Sequence, residues 1–224
     1  MGPAVNGGTR LVLVRHGEAI CNVNGVVGGL RGCTGLTARG VAQAEALRDR
    51  LLRTGELGGG VALYASTLPR AVETAEIVAS ALAAYAGRPV PLVRDPDLCE
   101  LRPGEADGLT WAQFSERFEA PDWDARPGEP LAPGGESWSG FVDRAAGALR
   151  RIVADAGGDR TIVAVCHAGV VEASLLRLLP VGPGRTRLGL RTAHASMTEW
   201  HVERDRWRLE RYNDGTPAEV AQQA

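Results

Sequence analysis

Two histidines follow directly on apolar runs of the sequence. His16 comes after Leu11–Val14 and Arg15 (LVLVRHG), and His167 comes after TIVAVC at 161–166. Each run has the length and composition of a buried strand. Because ligands of open α/β sheets bind at the carboxyl ends of the strands, we expect both imidazoles in one pocket.

Two more polar residues follow predicted strands. Arg70 lies at the start of the helix that follows VALYA at 61–65, and Glu100 follows a short strand predicted at 90–93. If these strands are parallel, their carboxyl ends share one rim of the sheet. The residues expected on that rim are Arg15, His16, Arg70, Glu100 and His167.

This combination of side chains suits phosphoryl transfer. Guanidinium groups bind the oxygens of a phosphoryl group in pairs. A neutral imidazole nitrogen can attack phosphorus and form a phosphohistidine. A carboxylic acid can protonate the leaving oxygen, and a helix that begins after either histidine would add N–H donors.

The composition favours a single domain and excludes several kinds of site. The chain has 224 residues, is 44% hydrophobic and carries 25 basic against 27 acidic residues. We expect one domain over residues 1–224 and no nucleic-acid partner. Every basic residue is arginine, so a Schiff-base or P-loop lysine is excluded, and an anion site must use arginine, histidine or backbone N–H groups.

The cysteines and the apolar runs predict a cytoplasmic protein. Cys21, Cys33, Cys99 and Cys166 form no C-x-x-C pair, which indicates reduced thiols in a chain of this size. The start, MGPAVNGG, lacks the apolar run of a secretory signal. No stretch approaches the roughly 18 apolar residues of a membrane span, so we expect no membrane partner.

The predicted elements alternate between strand and helix. Strands are predicted at 10–14, 61–65, 90–93 and 161–166, helices at 37–53, 69–87, 110–118, 137–154 and 170–179, and a hairpin that turns at 203–206. A glycine-rich loop is predicted at 25–35. This order predicts a three-layer α/β/α sandwich with a mostly parallel sheet and an antiparallel edge strand. In the first helix, the residues predicted to face the core are Val41, Ala44, Leu47, Leu51 and Leu52.

The segment 103–140 differs from the rest of the chain. It is dense in glycine, proline and acidic residues, and Trp111, Trp123 and Trp138 are spaced along it. Binding loops commonly lie on rigid scaffolds. We therefore expect a lid-like loop region that decides which phosphate ester binds.

Four motifs, in this order, resemble those of the histidine phosphatase superfamily, in the branch of phosphoglycerate mutase and its phosphatase relatives. They are RHGEAICN at 15–22, STLPRAVETAEIVA at 66–79, DPDLCELRPGEADGLT at 95–110 and VAVCHAGVV at 163–171. The resemblance extends from about residue 10 to residue 213. It implies a phosphoglycerate mutase-like fold and, because the acid-bearing segment of the third motif, LRPGEADGLT at 101–110, has the short form, the phosphatase side of the branch.

The resemblance also implies roles for individual residues. His16 would be the nucleophile, Glu100 the general acid and His167 a catalytic ligand of the phosphoryl group. The other phosphate ligands would be Arg15, Asn22 and Arg70, and further candidates for substrate contact are Glu18, Gly28, Ala168 and Arg102. The implied protein is a metal-independent phosphomonoester hydrolase that acts on a small phosphorylated metabolite without a cofactor, as a monomer or homodimer.

Several residue roles have alternatives. Glu105 lies close to Glu100 in sequence and is a second candidate for the acid. Asn22 has the residue type that caps a turn, and Glu18 has a structural alternative of the same kind. Two roles are open for Arg102, an ion pair with Glu105 and a contact with the substrate, and we favour the ion pair, which is structural.

Other readings of the sequence remain open as well. The runner-up function is a mutase that moves phosphate within one metabolite, and the third is a non-catalytic module that binds phosphorylated ligands. Cys33 and Arg39 fit the C-x5-R pattern of tyrosine phosphatases, but no buried strand precedes Cys33. His194 falls where members of the family often have asparagine, and we expect His194 and His201 to be structural.

Overall fold

The computed structural model of the protein describes residues 7–158, 160–179 and 186–215. The first six residues, on which much of the expectation about a secretory signal rests, lie outside that part. The strands within it are β1 (Thr9–Arg15), β2 (Val61–Ala65), β3 (Leu92–Arg94), β4 (Thr161–Cys166), β5 (Met197–Glu203) and β6 (Arg206–Asp214). The helices are α1 (Ile20–Val23), α2 (Ala38–Thr54), α3 (Pro69–Ala86), α4 (Trp111–Arg117), α5 (Trp138–Asp155) and α6 (Ala168–Leu178), with 3-10 turns at Pro96–Leu98 and Gly104–Ala106.

The strands form one mixed sheet in the order β3-β2-β4-β1-β5-β6. The pairs β3–β2, β2–β4 and β4–β1 are parallel. The strand β5 runs antiparallel to β1 and forms a hairpin with β6 at the edge. The prediction of a mostly parallel sheet with an antiparallel hairpin edge is confirmed.

Helices cover both faces of this sheet. Leu11 and Leu13 pack in one core with residues of α5 and α6. Val12 and Val14 pack in a second core with residues of α2 and α3. Since successive side chains of a strand point to opposite faces, one uninterrupted apolar run supplies both cores. The alternation of layers is the predicted α/β/α sandwich.

The structure departs from the sequence prediction at three places. The strand β3 begins at Leu92 rather than residue 90, because Pro91 has no N–H to donate to a ladder. The short helix α1 was not predicted. Val41 and Leu52, assigned to the apolar face of α2, are 37% and 43% exposed, so that face is narrower than the spacing indicated.

Within the described residues, no helix combines the length and the apolar character that a membrane crossing requires.

The chain that leaves β1 passes tightly against the first turn of α2. A Cβ atom on Gly17 would collide with the carbonyl oxygen of Gly40, and a Cβ atom on Gly40 would collide with the carbonyl oxygen of Glu18. The backbone N–H of Glu18 also donates to Oε1 of Gln43, at 2.8 Å. This contact between two backbones fixes the position of the segment that contains His16.

Two glycine-to-alanine changes in helices, one at this contact and one away from it, should change the stability of the protein in opposite directions. Gly40→Ala should lower the free energy of unfolding by about 1–3 kcal/mol, because the methyl group has to displace the backbone at Glu18. The matched control is Gly147→Ala in α5, where nothing lies within 4 Å of the added carbon. That change should stabilise the protein by about 0.5–1 kcal/mol.

Urea unfolding of the two variants and the wild type measures both effects. A gain of stability in Gly40→Ala comparable to that in Gly147→Ala would contradict the close packing.

Candidate active site

A cavity of about 500 Å³ opens at the carboxyl ends of the parallel strands. Arg15, His16, Arg70 and Glu100 line it together. His167 lies next to His16: it is completely buried, and the two ring centroids are 5.1 Å apart. The rim proposed from the strand ends therefore brings all five residues to one place.

The hydrogen bonds of His16 define which ring nitrogen can act. Its Nδ1 lies 2.6 Å from the carbonyl oxygen of Gly17. Because a carbonyl oxygen can only accept, Nδ1 must hold the proton. The other nitrogen, Nε2, then has a lone pair, which accepts a hydrogen bond from Nε of Arg70 at 3.1 Å. The nitrogen beside Arg70 is thus the one able to attack an electrophile.

The site keeps its histidines neutral. Burial lowers the pKa of His16 and of His167 well below the usual 6.5, and the positive charge of Arg70 lowers both further. Burial, followed by the charge of Arg15, also lowers the pKa of His194 to about 3. An imidazole that stays neutral retains a lone pair, which a nucleophile requires.

Two arginines of the cavity wall each donate a hydrogen bond from the guanidinium to a backbone carbonyl oxygen. Arg15 donates to the carbonyl oxygen of Thr192, and Nη1 of Arg70 donates to the carbonyl oxygen of Gly28 at 2.8 Å. Burial lowers the pKa of Arg15 to about 10, so its guanidinium remains charged at neutral pH. Its buried Nε has no hydrogen-bond partner among the described residues, which leaves a donor for an anion.

His167 is held from behind by a serine. Its Nε2 lies 2.7 Å from Oγ of Ser66, while its buried Nδ1 lacks a partner in the described part of the chain. His167 is also the N-cap of α6, so helical N–H groups begin directly after it, as expected. No such helix follows His16 directly, because α1 begins only at Ile20.

The carboxylate of Glu100 is fixed by two backbone donors. It accepts from the N–H of Gly169 at 3.0 Å and from its neighbour Leu101 at 3.1 Å. A Cβ atom on Gly169 would collide with Oε1 of Glu100 and lie 2.9 Å from the ring of Phe141. Glu105, the alternative acid, is exposed and is not part of the cavity wall. The geometry therefore favours Glu100.

Three further sequence candidates lie on the cavity wall, namely Asn22, Gly28 and Ala168. Oδ1 of Asn22 accepts from the N–H of Ala19 at 3.1 Å, so this side chain does cap the turn before α1. Its amide nitrogen is the group left for the cavity. Gly28 contributes its carbonyl oxygen to the anchoring of Arg70, as described above.

Two candidates for substrate contact lie elsewhere. Glu18 accepts from Oγ1 of Thr37 at 2.8 Å and pairs with Arg39 at 3.6 Å, outside the cavity wall. Arg102 is exposed and pairs with Asp97 at 3.4 Å. Both side chains have the structural role that the sequence left open, although the partner of Arg102 is not Glu105.

Sequence reasoning missed the position of one histidine. His194 was expected to be structural, yet its ring centroid lies 5.7 Å from that of His16, and the residue is only 8% exposed. It lies in an irregular segment before β5, where no periodic pattern indicates a position. The one available signal was that it occupies a position where members of the family often have asparagine.

The C-x5-R pattern does not form a phosphate-binding loop. Cys33 is buried in a cluster with Leu68 and Cys99. Arg39, the arginine of the pattern, pairs instead with Glu18. A hydrogen bond with Cys21 lowers the pKa of Cys33 to about 5, but the sulfur of Cys33 is not part of the cavity wall.

In the part of the chain that the structure describes, no three His, Cys, Asp or Glu side chains cluster closely enough to hold a metal ion.

The depressed pKa of His194 predicts how stability depends on pH. Between its folded pKa of about 3 and the usual 6.5, the unfolded chain binds a proton that the folded protein does not. The free energy of unfolding therefore falls with falling pH, by about 1.4 kcal/mol per pH unit for each such histidine. His194→Asn should remove about that much slope between about pH 5.5 and pH 4.

Urea unfolding of wild type and His194→Asn over this pH range measures the difference in slope. Equal slopes in the two proteins would contradict a neutral, buried His194.

Comparisons with known proteins agree with the geometry. Residues 11–215 match the histidine phosphatase superfamily (branch 1). The chain is 31% identical to the metal-independent phosphoserine phosphatase of Arabidopsis thaliana, over 92% of this chain and 82% of that one. It spans about half (51%) of a longer relative, the bifunctional protein Rv2228c of Mycobacterium tuberculosis, with 33% identity over 87% of this chain.

A solved structure shares the fold. The mycobacterial glucosyl-3-phosphoglycerate phosphatase Rv2419c, in complex with VO3, superposes with a TM-score of 0.72 at 26% identity, covering 92% of this chain and 99% of that one. Together with the match of residues 11–215, this similarity confirms the resemblance read from the motifs. The chain belongs to the histidine phosphatase superfamily.

Proposed function

We propose that the protein is a metal-independent phosphomonoester hydrolase that acts through a phosphohistidine on small phosphorylated metabolites. The main support is His16, whose Nδ1 proton is held by Gly17 so that Nε2 faces Arg70 on the cavity wall. Two of the relatives described above, the plant protein and mycobacterial Rv2419c, are named as phosphatases, and the plant enzyme is named metal-independent.

In the first step, the phosphate group of the substrate replaces His16 as the acceptor of a hydrogen bond from Arg70. Nε of Arg70 moves its hydrogen bond from His16 to a phosphoryl oxygen, which releases the lone pair on Nε2. Arg15 supplies the unpaired Nε to a second oxygen. The N–P bond then forms as the P–O bond of the ester breaks, and Glu100 gives its proton to the leaving alcohol.

In the second step, water cleaves the phosphohistidine. Glu100, now a carboxylate, accepts a proton from the water as its oxygen attacks phosphorus and the N–P bond breaks. His16 returns to its neutral form, and inorganic phosphate leaves. Ser66 donates to Nε2 of His167 at 2.7 Å in this mechanism, so Nδ1 of His167 keeps its proton and donates a hydrogen bond to a phosphoryl oxygen in both steps.

The segment 103–140 selects the alcohol part of the substrate in this proposal. It supplies Trp111, Phe114, Pro121, Trp123 and Leu131, among other residues, to the cavity wall. These side chains lie on the same cavity as the phosphate ligands but contain no group that the chemistry uses. We regard the segment as a lid region within one domain that spans the chain.

The proposal predicts that activity depends on His16 and not on Cys33. His16→Ala should lower kcat/KM for p-nitrophenyl phosphate by at least about 10⁴-fold, because the nucleophile is lost. Cys33→Ser should remain active, because this buried thiol lies off the cavity wall. Both assays are run with EDTA, which should leave the wild-type rate unchanged.

Three results would contradict this function. They are full activity of His16→Ala, loss of wild-type activity in EDTA, and conversion of 3-phosphoglycerate to 2-phosphoglycerate without release of phosphate. The last result would assign the protein to the mutases.

The proposal also predicts that Glu100 acts as the acid and that its effect depends on the leaving group. Glu100→Gln should lower kcat for an alkyl phosphate by about 10²–10⁴-fold. The loss should be smaller for p-nitrophenyl phosphate, whose leaving group needs no proton. Glu105→Gln is the matched control and should resemble the wild type, since Glu105 is exposed and off the cavity wall.

Steady-state kinetics of the two variants on both esters measures this difference. A loss in Glu105→Gln with normal activity in Glu100→Gln would reverse the assignment.

A further inference from the structure

A pair of stacked tryptophans and an arginine form the outer wall of the cavity. The rings of Trp123 and Trp138 stack with centroids 5.6 Å apart and planes 26° from parallel. The guanidinium carbon of Arg187 lies 5.9 Å from the centroid of Trp123 and 5.3 Å from that of Trp138. We call Trp123, Trp138 and Arg187 the outer wall.

The position of Arg187 is held by its contacts with this wall. The indole N–H of Trp138 donates to the carbonyl oxygen of the neighbouring Thr186 at 2.6 Å, which ties the backbone beside Arg187 to α5. A guanidinium that stacks on aromatic faces keeps its N–H groups at the edge, free to bind an anion. The side chain is therefore oriented before any ligand arrives.

No carboxylate of the described residues pairs with Arg187, although it lines the same cavity as Arg15 and Arg70. The arginines other than Arg187 on this wall are assigned to the phosphoryl group by the proposed mechanism. Glu100 is the acid of that mechanism and accepts from two backbone N–H groups. One cation on the wall thus has no anionic partner among the residues that the structure describes.

The rest of the cavity requires more than a phosphate group to fill it. Its volume of about 500 Å³ lies in the range of sites for drug-sized ligands, which is roughly 300–1,000 Å³. Trp111, itself 51% exposed, and Phe114 extend the apolar surface towards the opening. An alcohol with an apolar or planar face fits this surface.

We propose that the outer wall selects phosphomonoesters whose alcohol part has an apolar face and carries a second anionic group, which Arg187 binds. This inference rests on the proposed hydrolase function and adds the class of substrate. Arg187 is a specificity-determining residue here and takes no part in the chemical steps.

The test compares esters that differ in one anionic group. O-phospho-L-tyrosine and tyramine phosphate differ in a carboxylate alone, and fructose 1,6-bisphosphate and fructose 6-phosphate differ in a second phosphate. The measured quantity is the ratio of kcat/KM within each pair. The variants are Arg187→Met, which keeps the length of the side chain without its charge, and Arg187→Lys, which keeps the charge.

The wild type should prefer the anionic member of at least one pair by about tenfold or more, the effect of one charge-assisted hydrogen bond. The pair that shows the preference identifies the anion as a carboxylate or a phosphate. Arg187→Met should bring that ratio close to one, and Arg187→Lys should retain part of it. Arg88→Met, a change at an exposed arginine on the loop before β3, should keep the wild-type ratio.

Two results would overturn the inference: no preference in either pair for the wild type, or a preference that Arg187→Met leaves unchanged. Failure of the proposed function gives a different result, because the wild type would then release no phosphate from any of the four esters or from p-nitrophenyl phosphate.

Discussion

The chemistry proposed for this site depends on one hydrogen bond, from Nδ1 of His16 to the carbonyl oxygen of the next residue, Gly17. It fixes the tautomer and the orientation of the ring, and so determines which nitrogen has the lone pair. Burial and the charge of Arg70 keep the ring neutral. The same arginine donates to that lone pair, so the lone pair of the proposed nucleophile is engaged in the free protein, and in the proposed mechanism a bound anion releases it by competing for the guanidinium.

The fold provides the rigidity that this hydrogen bond requires. The strand β1 lies inside the sheet between β4 and β5, and its alternate residues are buried in the cores on both faces. The close approach of Gly17 and Gly40 then restrains the backbone just beyond the strand. Glu100 is restrained in a similar way, because its carboxylate accepts a hydrogen bond from the backbone N–H of Gly169 at the start of α6. Rigid elements therefore position both the proposed nucleophile, His16, and the proposed acid, Glu100.

The sequence predicts those features that depend on local pattern and chain order. Uninterrupted apolar runs located β1, β2 and β4, and the parallel order of these strands placed His16 and His167 at one edge. The sequence does not predict the features that depend on contacts between distant segments. His194 and Arg187 lie in an irregular segment, and their contacts at the site are with residues distant in sequence. His194 lies beside the ring of His16, and Arg187 lies over the rings of Trp123 and Trp138. No periodic pattern in the sequence indicates the backbone contacts of Gly40 either.

The atom that carries the phosphoryl group during turnover identifies the nucleophile. Wild-type protein is mixed with a phosphate ester, quenched within one turnover, and analysed by peptide mass spectrometry and phosphorus NMR. The tautomer set by Gly17 predicts a phosphoryl group on Nε2 of His16. Phosphate on Nδ1 of His16, on a cysteine or on any other residue would contradict attack by Nε2 of His16, as would turnover without a covalent intermediate.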